Sequence, residues 1–311
     1  MGKVVGGEKK MFDVIGLGAS ACDFLGVVPH YPAMDERLRM LEVHRQGGGE
    51  AATAMVTLSR LGMNASYVGK VGDDEMGRFI VGEFKREGVD TSHVVVERGG
   101  LSVFAFSIVD KETGKRTILW HKQLKPLAPD ELDEEFMLSA KILHVDYHEP
   151  EAALAAARWF REAGKTVVLD IDTVDSQLQK MVRLADVVIG SETFAKRIGS
   201  GGDYFRAAEK VSSLGPETTV FTLGEKGCLC RSKGEAFVQP AFEVDVVDTT
   251  GSGDVFHGAF IYGILHNWDL RKTAEFSNAV AAMKCRKVGG RAGIPSRKEV
   301  DEFLKTAKTK K

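Results

Sequence analysis

From residue 126 onward, short apolar runs alternate with helix-length amphipathic segments, and this alternation constrains the fold more than any other feature. The runs at 141–146, 166–170, 186–189, 218–222 and 228–231 read as strands. The segments at 151–163, 175–184, 203–214, 255–266, 270–287 and 297–307 read as helices. Strands separated by helices run parallel, because each helix returns the chain across the sheet, and right-handed crossovers cover both sheet faces. The N-terminal part starts the same way, with a strand at 11–17, a helix at 50–62 closed by Gly62, a strand at 65–71 and a helix at 74–88 closed by Gly88. Between these parts the period changes. Residues 94–96, 101–110 and 115–122 alternate around a hairpin turn at Asp110–Gly114, and 24–46 reads as extended. Val103, Ala105, Ser107 and Val109 face one way and Phe104, Phe106 and Ile108 the other, so both faces should be covered. The prediction is an α/β/α three-layer sandwich with a parallel-rich central sheet and a small β-sheet lid. The core takes 11–23, 47–93 and 123–311; the lid takes 24–46 and 94–122.

Composition excludes several function classes. The 311 residues carry 42 Lys and Arg against 44 Asp and Glu, a net charge of −2. No basic field exists to hold nucleic acid or anionic lipid. No apolar run reaches the ~18 residues of a membrane span, and MGKVVGGEKK lacks the apolar region of a secretory signal. Cys22, Cys228, Cys230 and Cys285 are scattered, which reads as structural thiols rather than a disulfide framework or metal site. A cytoplasmic protein is expected.

Four glycine loops are candidates for a ligand site. Gly16-Leu17-Gly18-Ala19-Ser20-Ala21 fits a dinucleotide fingerprint, but Gly26, Pro29 and Pro32 deny it the helix that must receive a pyrophosphate. That loop instead sets Asp23 at the sheet edge, ready to accept hydrogen bonds from a polyol. Gly164-Lys165-Thr166 is no P-loop, because position 159 is Trp and the segment enters a strand. Gly47-Gly48-Gly49 precedes a helix with Thr53 in its first turn, either a flexible turn or a binding loop. The strongest signal is Asp248-Thr249-Thr250-Gly251-Ser252-Gly253-Asp254, followed by an apolar helix. Small residues before a helix expose backbone N–H groups at its positive end, an anion hole suited to a phosphoryl group. Asp254 could be a helix cap. A carboxylate set where phosphate oxygens bind nevertheless needs a task, and accepting a hydroxyl proton is one.

D-T-T-G-S-G-D-V-F-H-G (248–258) resembles the C-terminal signature of the ribokinase/PfkB carbohydrate kinases, and Gly48-Gly49 with Ala51–Gly62 resembles their N-terminal signature. The resemblance extends to V-G-G-R-A-G-I-P (288–295) and implies a ribokinase-like sandwich with a β lid. It implies Asp254 as catalytic base and the amides of Gly251, Ser252 and Gly253 as anion hole. Asp23, Gly48, Gly49 and Thr53 become the sugar positions. Thr222, Gly224 and Gly227 meet nucleotide phosphates, with Asn278 and Ala282 near adenine. ATP and Mg2+ are the implied cofactors. Several members hold a monovalent cation through carbonyls matching Asp248 and Thr250 and the segment near 284–293, which makes K+ a candidate here. Two departures stand out. Thr53 replaces the usual Asn, and Ser191-Glu192-Thr193-Phe194 replaces the N-x-x-E segment linked to magnesium, with Glu192 a candidate substitute.

The resemblance implies transfer of the γ-phosphate of ATP to a primary hydroxyl of a small sugar, a ketohexose or pentose. Asp170-Ile171-Asp172-Thr173-Val174 lacks the Arg that meets the carboxylate of keto-deoxy sugar acids. Residues 239–251 with 288–295 look like the subgroup containing sulfofructose kinases, for which Arg37 is the lid cation, while Trp120 and His148 stand where polar partners are expected. His121, His144, Asp146, Tyr147 and His148 fall at strand ends, where one or two would touch sugar. A non-catalytic sugar or nucleotide sensor on the same fold is the alternative of another class. The apolar lid face points to a homodimer through the lid.

Overall fold

The computed structural model describes residues 11–113, 115–172, 178–199 and 202–310. Its strands are β1 (Phe12–Leu17), β2 (Ala21–Val28), β3 (Glu42–Gly48), β4 (Ala65–Gly72), β5 (Val94–Glu97), β6 (Phe104–Asp110), β7 (Arg116–His121), β8 (Ala140–Val145), β9 (Thr166–Ile171), β10 (Val187–Ser191), β11 (Thr218–Thr222), β12 (Cys228–Ser232) and β13 (Glu235–Gln239). Its helices are α1 (Glu50–Arg60), α2 (Glu75–Arg86), α3 (Glu134–Met137), α4 (Pro150–Glu162), α5 (Leu178–Leu184), α6 (Glu192–Ile198), α7 (Tyr204–Ser212), α8 (Ser252–Leu265), α9 (Leu270–Lys284) and α10 (Arg297–Leu304). The expected helix at 175–184 begins within 173–177, and Gly114 belongs to the expected hairpin turn; these positions lie outside the described residues.

Nine strands form the main sheet in the order β13-β12-β11-β10-β9-β8-β1-β4-β5. It is parallel from β5 to β11, and β12 and β13 extend it by antiparallel hairpins. One apolar cluster packs α1, α2, α8, α9 and α10 on one face, and a second packs α3 to α7 on the other. The strand order turns back at β1, between β4 and β8, and such a switch point opens a crevice at the carboxyl ends of the strands. α8 is buried over Val255–Gly263, as a helix apolar on all sides must be. A Cβ at Gly258 would come within 2.7 Å of the Ala54 carbonyl oxygen, so its absence lets α8 lie tightly on α1. The starts of both helices are thereby fixed relative to one another.

The lid is a four-stranded sheet in the order β3-β2-β6-β7. Two expectations about it are corrected. Val94–Glu97 pairs parallel with β4 at the edge of the main sheet, so it leaves the lid. β2 begins at Ala21, so Asp23 sits on a lid strand, while 29–41 carries no strand. Register places Asp23 beside Ala105, and Ala105 beside Trp120, on the face turned to the core. Phe106 pairs with Phe24 and Leu119 on the other face, where Phe106 is 50% and Leu119 58% exposed. That face is open at Phe106 and Leu119, while Phe24 and Phe104 on the same side pack against the core cluster. All four cysteines are free and buried.

Candidate active site

Two cavities meet at the start of α8. The larger, about 540 Å³, lies between lid and core and is lined by Asp23, Gly49, Glu50, Thr250, Gly251 and Asp254, with Ala105, Ile118 and Trp120 from the lid. The smaller, about 380 Å³, is lined by Thr222, Gly224, Gly227, Thr249, Ser252, Gly253, Asn278 and Ala282. The segment Thr249–Asp254 therefore borders both. Arg116 of β7 reaches the same border, where its Nη1 donates to Thr249 Oγ1 at 2.9 Å, and it lines both cavities.

The border is shaped by its neighbours. Gly251 caps α8 at φ 70°, and a Cβ there would come within 2.9 Å of the Gly290 Cα. The Asp248 carboxylate accepts from the Thr250 N–H at 2.8 Å, the Thr250 hydroxyl at 2.7 Å and the Gly289 N–H at 2.7 Å. These bonds outweigh burial and hold its carboxyl below the usual range. One expectation is corrected: the Ser252 N–H donates to the Thr249 carbonyl at 3.2 Å, so it closes a turn. Gly251 and Gly253 stand at the start of α8, where a helix leaves its N–H groups without intrahelical acceptors. Asp254 stands in that turn. Burial, then the charges of Glu50, Asp146 and Asp172, pushes its carboxyl up to about 8. A carboxylate with that affinity for protons is a competent general base near neutral pH.

The sugar positions divide. Asp23 faces the larger cavity, and burial pushes its carboxyl up to about 6. A Cβ on residue 48 would sit 2.1 Å from Asp23 Oδ2, so Gly48 is the space Asp23 occupies. Gly49 has φ 94° and presses on the Ala19 carbonyl, which starts α1 at the cavity wall. Thr53 does not reach the cavity. It is buried, and its hydroxyl accepts from Arg291 Nε at 3.2 Å. Arg291 is the residue that sequence reasoning passed over: it was visible only as the Arg of V-G-G-R-A-G-I-P. Its Nη2 donates to the Gly48 carbonyl at 2.9 Å, its Nη1 has no hydrogen-bond partner among the described residues, and it is 3% exposed.

Among the strand-end residues, Asp146 is structural. Its carboxylate accepts from the N–H groups of Ala19 at 2.7 Å, Ala51 at 3.1 Å and His148 at 3.0 Å, which ties three loops together. His148 and Glu50 pair at 3.1 Å on the cavity wall, and that bond pushes His148 up to about 9. His144, Asp170 and His257 form a buried group whose donor atoms lie within 4.8 Å of one another, the arrangement among the described residues able to hold a metal ion. None of the three lines either cavity. Arg37 is exposed and lines neither cavity.

The nucleotide side is built by turns and one amide. Gly224 and Gly227 take φ 59° and 95° after β11. Asn278 lines the cavity, but its Nδ2 donates to the carbonyls of Gln239 at 3.0 Å and Pro240 at 3.1 Å, so that end of the amide anchors the β13 exit. Glu192 does not fit a direct magnesium ligand. It accepts from the Tyr204 hydroxyl and pairs with Lys196 at 3.2 Å and Lys226 at 3.4 Å. At the expected potassium position the Asp248 carbonyl accepts from the Lys284 ammonium at 2.9 Å.

Comparison with known proteins gives the family. The family model described as pfkB family carbohydrate kinase matches residues 11–297. The 5-dehydro-2-deoxygluconokinase of Geobacillus kaustophilus is 27% identical over 321 residues, covering 96% of this chain and 95% of that protein. The solved ribokinase of Thermotoga maritima superposes with a TM-score of 0.82 at 26% identity, covering 95% of this chain and 100% of its own. Arabidopsis thaliana ribokinase, solved with ribose and ATP, shares the fold at a TM-score of 0.82 and 22% identity, covering 96% and 100%. The chain belongs to the pfkB family of carbohydrate kinases and is an ATP-dependent sugar kinase of that family.

Proposed function

We propose that the enzyme transfers the γ-phosphoryl group of ATP to a primary hydroxyl of a small neutral sugar, a ketohexose or pentose. The observation that carries this reading is the segment Thr249–Asp254, which borders both cavities. A nucleotide in the smaller cavity and a sugar in the larger would meet across it. Thr222, Gly224 and Gly227 would border the phosphates, with Asn278 and Ala282 toward the base. Asp254 would accept the hydroxyl proton as the oxygen attacks phosphorus. The amides of Gly251 and Gly253 would hold the charge that develops on the phosphoryl oxygens. Mg2+ would enter on the nucleotide and neutralise phosphate charge there.

Charge in the larger cavity favours a neutral sugar. Asp23, Glu50, Glu149, Asp172 and Asp254 line it, against Lys70, Arg116, Lys122 and the His148 imidazolium as cations, and His148 is paired with Glu50 at 3.1 Å. Lys70 pairs with Glu131 at 2.7 Å and Lys122 with Glu149 at 2.7 Å, so neither is free to meet a carboxylate or sulfonate. A keto-deoxy sugar acid is the second reading, favoured by the activity named for the Geobacillus relative.

The test is ADP release with Mg-ATP across ketoses, aldoses, nucleosides, sugar phosphates, sulfofructose and keto-sugar acids, with Asp254→Asn as control. One sugar should respond, and turnover should fall about 10³-fold in the control, the size of a lost general base. Unchanged turnover in Asp254→Asn would refute the assignment. Silence across the panel with ATP still bound would favour a sensor.

A further inference from the structure

The ammonium of Lys284 is a buried charge that the reaction above leaves without a task. Lys284 is the last residue of α9 and 0% exposed. Lysine is almost never buried to that degree unless something pairs with it. Its acceptor here is a main-chain oxygen, the Asp248 carbonyl at 2.9 Å. The Asp248 carboxylate is already engaged by Thr250 and Gly289.

The chemistry of a peptide loop explains the pairing. N–H and C=O of a peptide unit point in opposite directions. A loop that offers N–H groups to an anion therefore turns carbonyl oxygens back into the protein, and the Asp248 carbonyl belongs to the unit whose N–H is that of Thr249, a residue lining the smaller cavity. Left unpaired there, a carbonyl costs the full desolvation of its dipole. Its partial negative charge would also oppose the anion held on the other side. A cation behind the loop removes both penalties. Lys284 supplies one, and its charge also favours the ionised form of Asp254.

The surrounding backbone fixes that cation in place. The Cys285 carbonyl accepts from the N–H groups of Val247 at 2.8 Å and Asp248 at 3.1 Å. A Cβ at Gly293 would come within 2.2 Å of the Lys284 carbonyl oxygen, so the segment after α9 closes directly over it. The end of α9 and residues 289–293 are thus laced to the loop that carries the anion hole.

We propose that Lys284 is a built-in monovalent cation, a positioning residue that completes the anion hole without bound potassium. The kinase reading enters only in naming the anion as a nucleotide phosphate. The test is Mg-ATP binding by calorimetry without sugar, in tetramethylammonium chloride and in potassium or ammonium chloride of equal ionic strength. The wild-type protein should bind ATP equally in all three. Lys284→Met should lose about tenfold or more in tetramethylammonium, the scale of one charged hydrogen bond. It should recover most of that loss in ammonium or potassium. A merely structural lysine would give a loss that no small cation repairs. That result in a variant with wild-type circular dichroism overturns the proposal, as does potassium-dependent binding in the wild type. Should Lys284→Met not fold, the wild-type potassium titration decides alone, with invariance as support. Absence of ATP binding by the wild type in every salt would overturn the nucleotide reading, and this assignment with it.

Discussion

Arg291 donates through Nη2 to the carbonyl oxygen of Gly48 at 2.9 Å, across 243 residues of sequence. The bond joins the segment that closes over the anion hole to the loop that carries α1. The same guanidinium holds the Thr53 hydroxyl and contributes the attractive charge felt by the buried Asp23. Arg291→Met should therefore act on sugar binding more than on chemistry. KM for the sugar should rise roughly 10- to 100-fold, while the ATP KM changes little. Stability should fall by about 2–4 kcal/mol, because two charged hydrogen bonds are lost and a buried carbonyl is left bare. Urea unfolding and two-substrate kinetics check both parts. An unchanged sugar KM would show that Asp23 needs no help from Arg291.

The pH dependence of the reaction should report Asp254. Burial and three neighbouring carboxylates hold its proton up to about 8. The base works only when ionised, so kcat/KM should fall as pH drops through that region, far above the ordinary carboxylate range. Glu50 is the largest of the charge causes. Glu50→Gln removes that repulsion, makes the proton easier to lose, and should move the acid limb to lower pH. A limb that stays in place, or moves up, would remove Glu50 from the account.

The strongest parts of this site were legible in sequence because they are local. D-T-T-G-S-G-D carries its glycines, its helix start and its carboxylate within seven consecutive residues, and the structure keeps them together. The parts that were missed depend on partners far along the chain. Lys284 meets a carbonyl 36 residues away, and Arg291 meets Thr53 across 238. Neither has a local signature, since a lysine at a helix end normally reads as a dipole contact. Thr53 was misplaced for the same reason, because its hydroxyl is taken by that distant arginine. The lid was legible in its hairpin and not in its borders. Val94–Glu97 alternates like a lid strand, yet it pairs with β4, and only tertiary pairing decides between them.

Glu192 gives a prediction of no effect. Its carboxylate is shared by Tyr204, Lys196 and Lys226, so it has no spare charge for a metal ion. Glu192→Gln should leave the Mg2+ concentration for half-maximal activity within about twofold, since exposed pairs of this kind contribute little. A tenfold rise would place a magnesium ligand at this strand end after all.

The outward face of the lid presents Phe106 at 50% exposure, Leu119 at 58% and Val43 at 63%. An apolar face of that kind on a small sheet is a common place for a partner to pack. A second copy of this chain, lid against lid, is the partner proposed here. Light scattering at micromolar concentration should give twice the 33.9 kDa chain mass. Leu119→Glu puts a charge opposite Phe106 in the register and should yield the single-chain mass with the α/β core still folded. The lid also carries Asp23 and Arg116, which line the larger cavity, so the variant should show a raised sugar KM. A single-chain mass for the wild-type protein would refute the dimer.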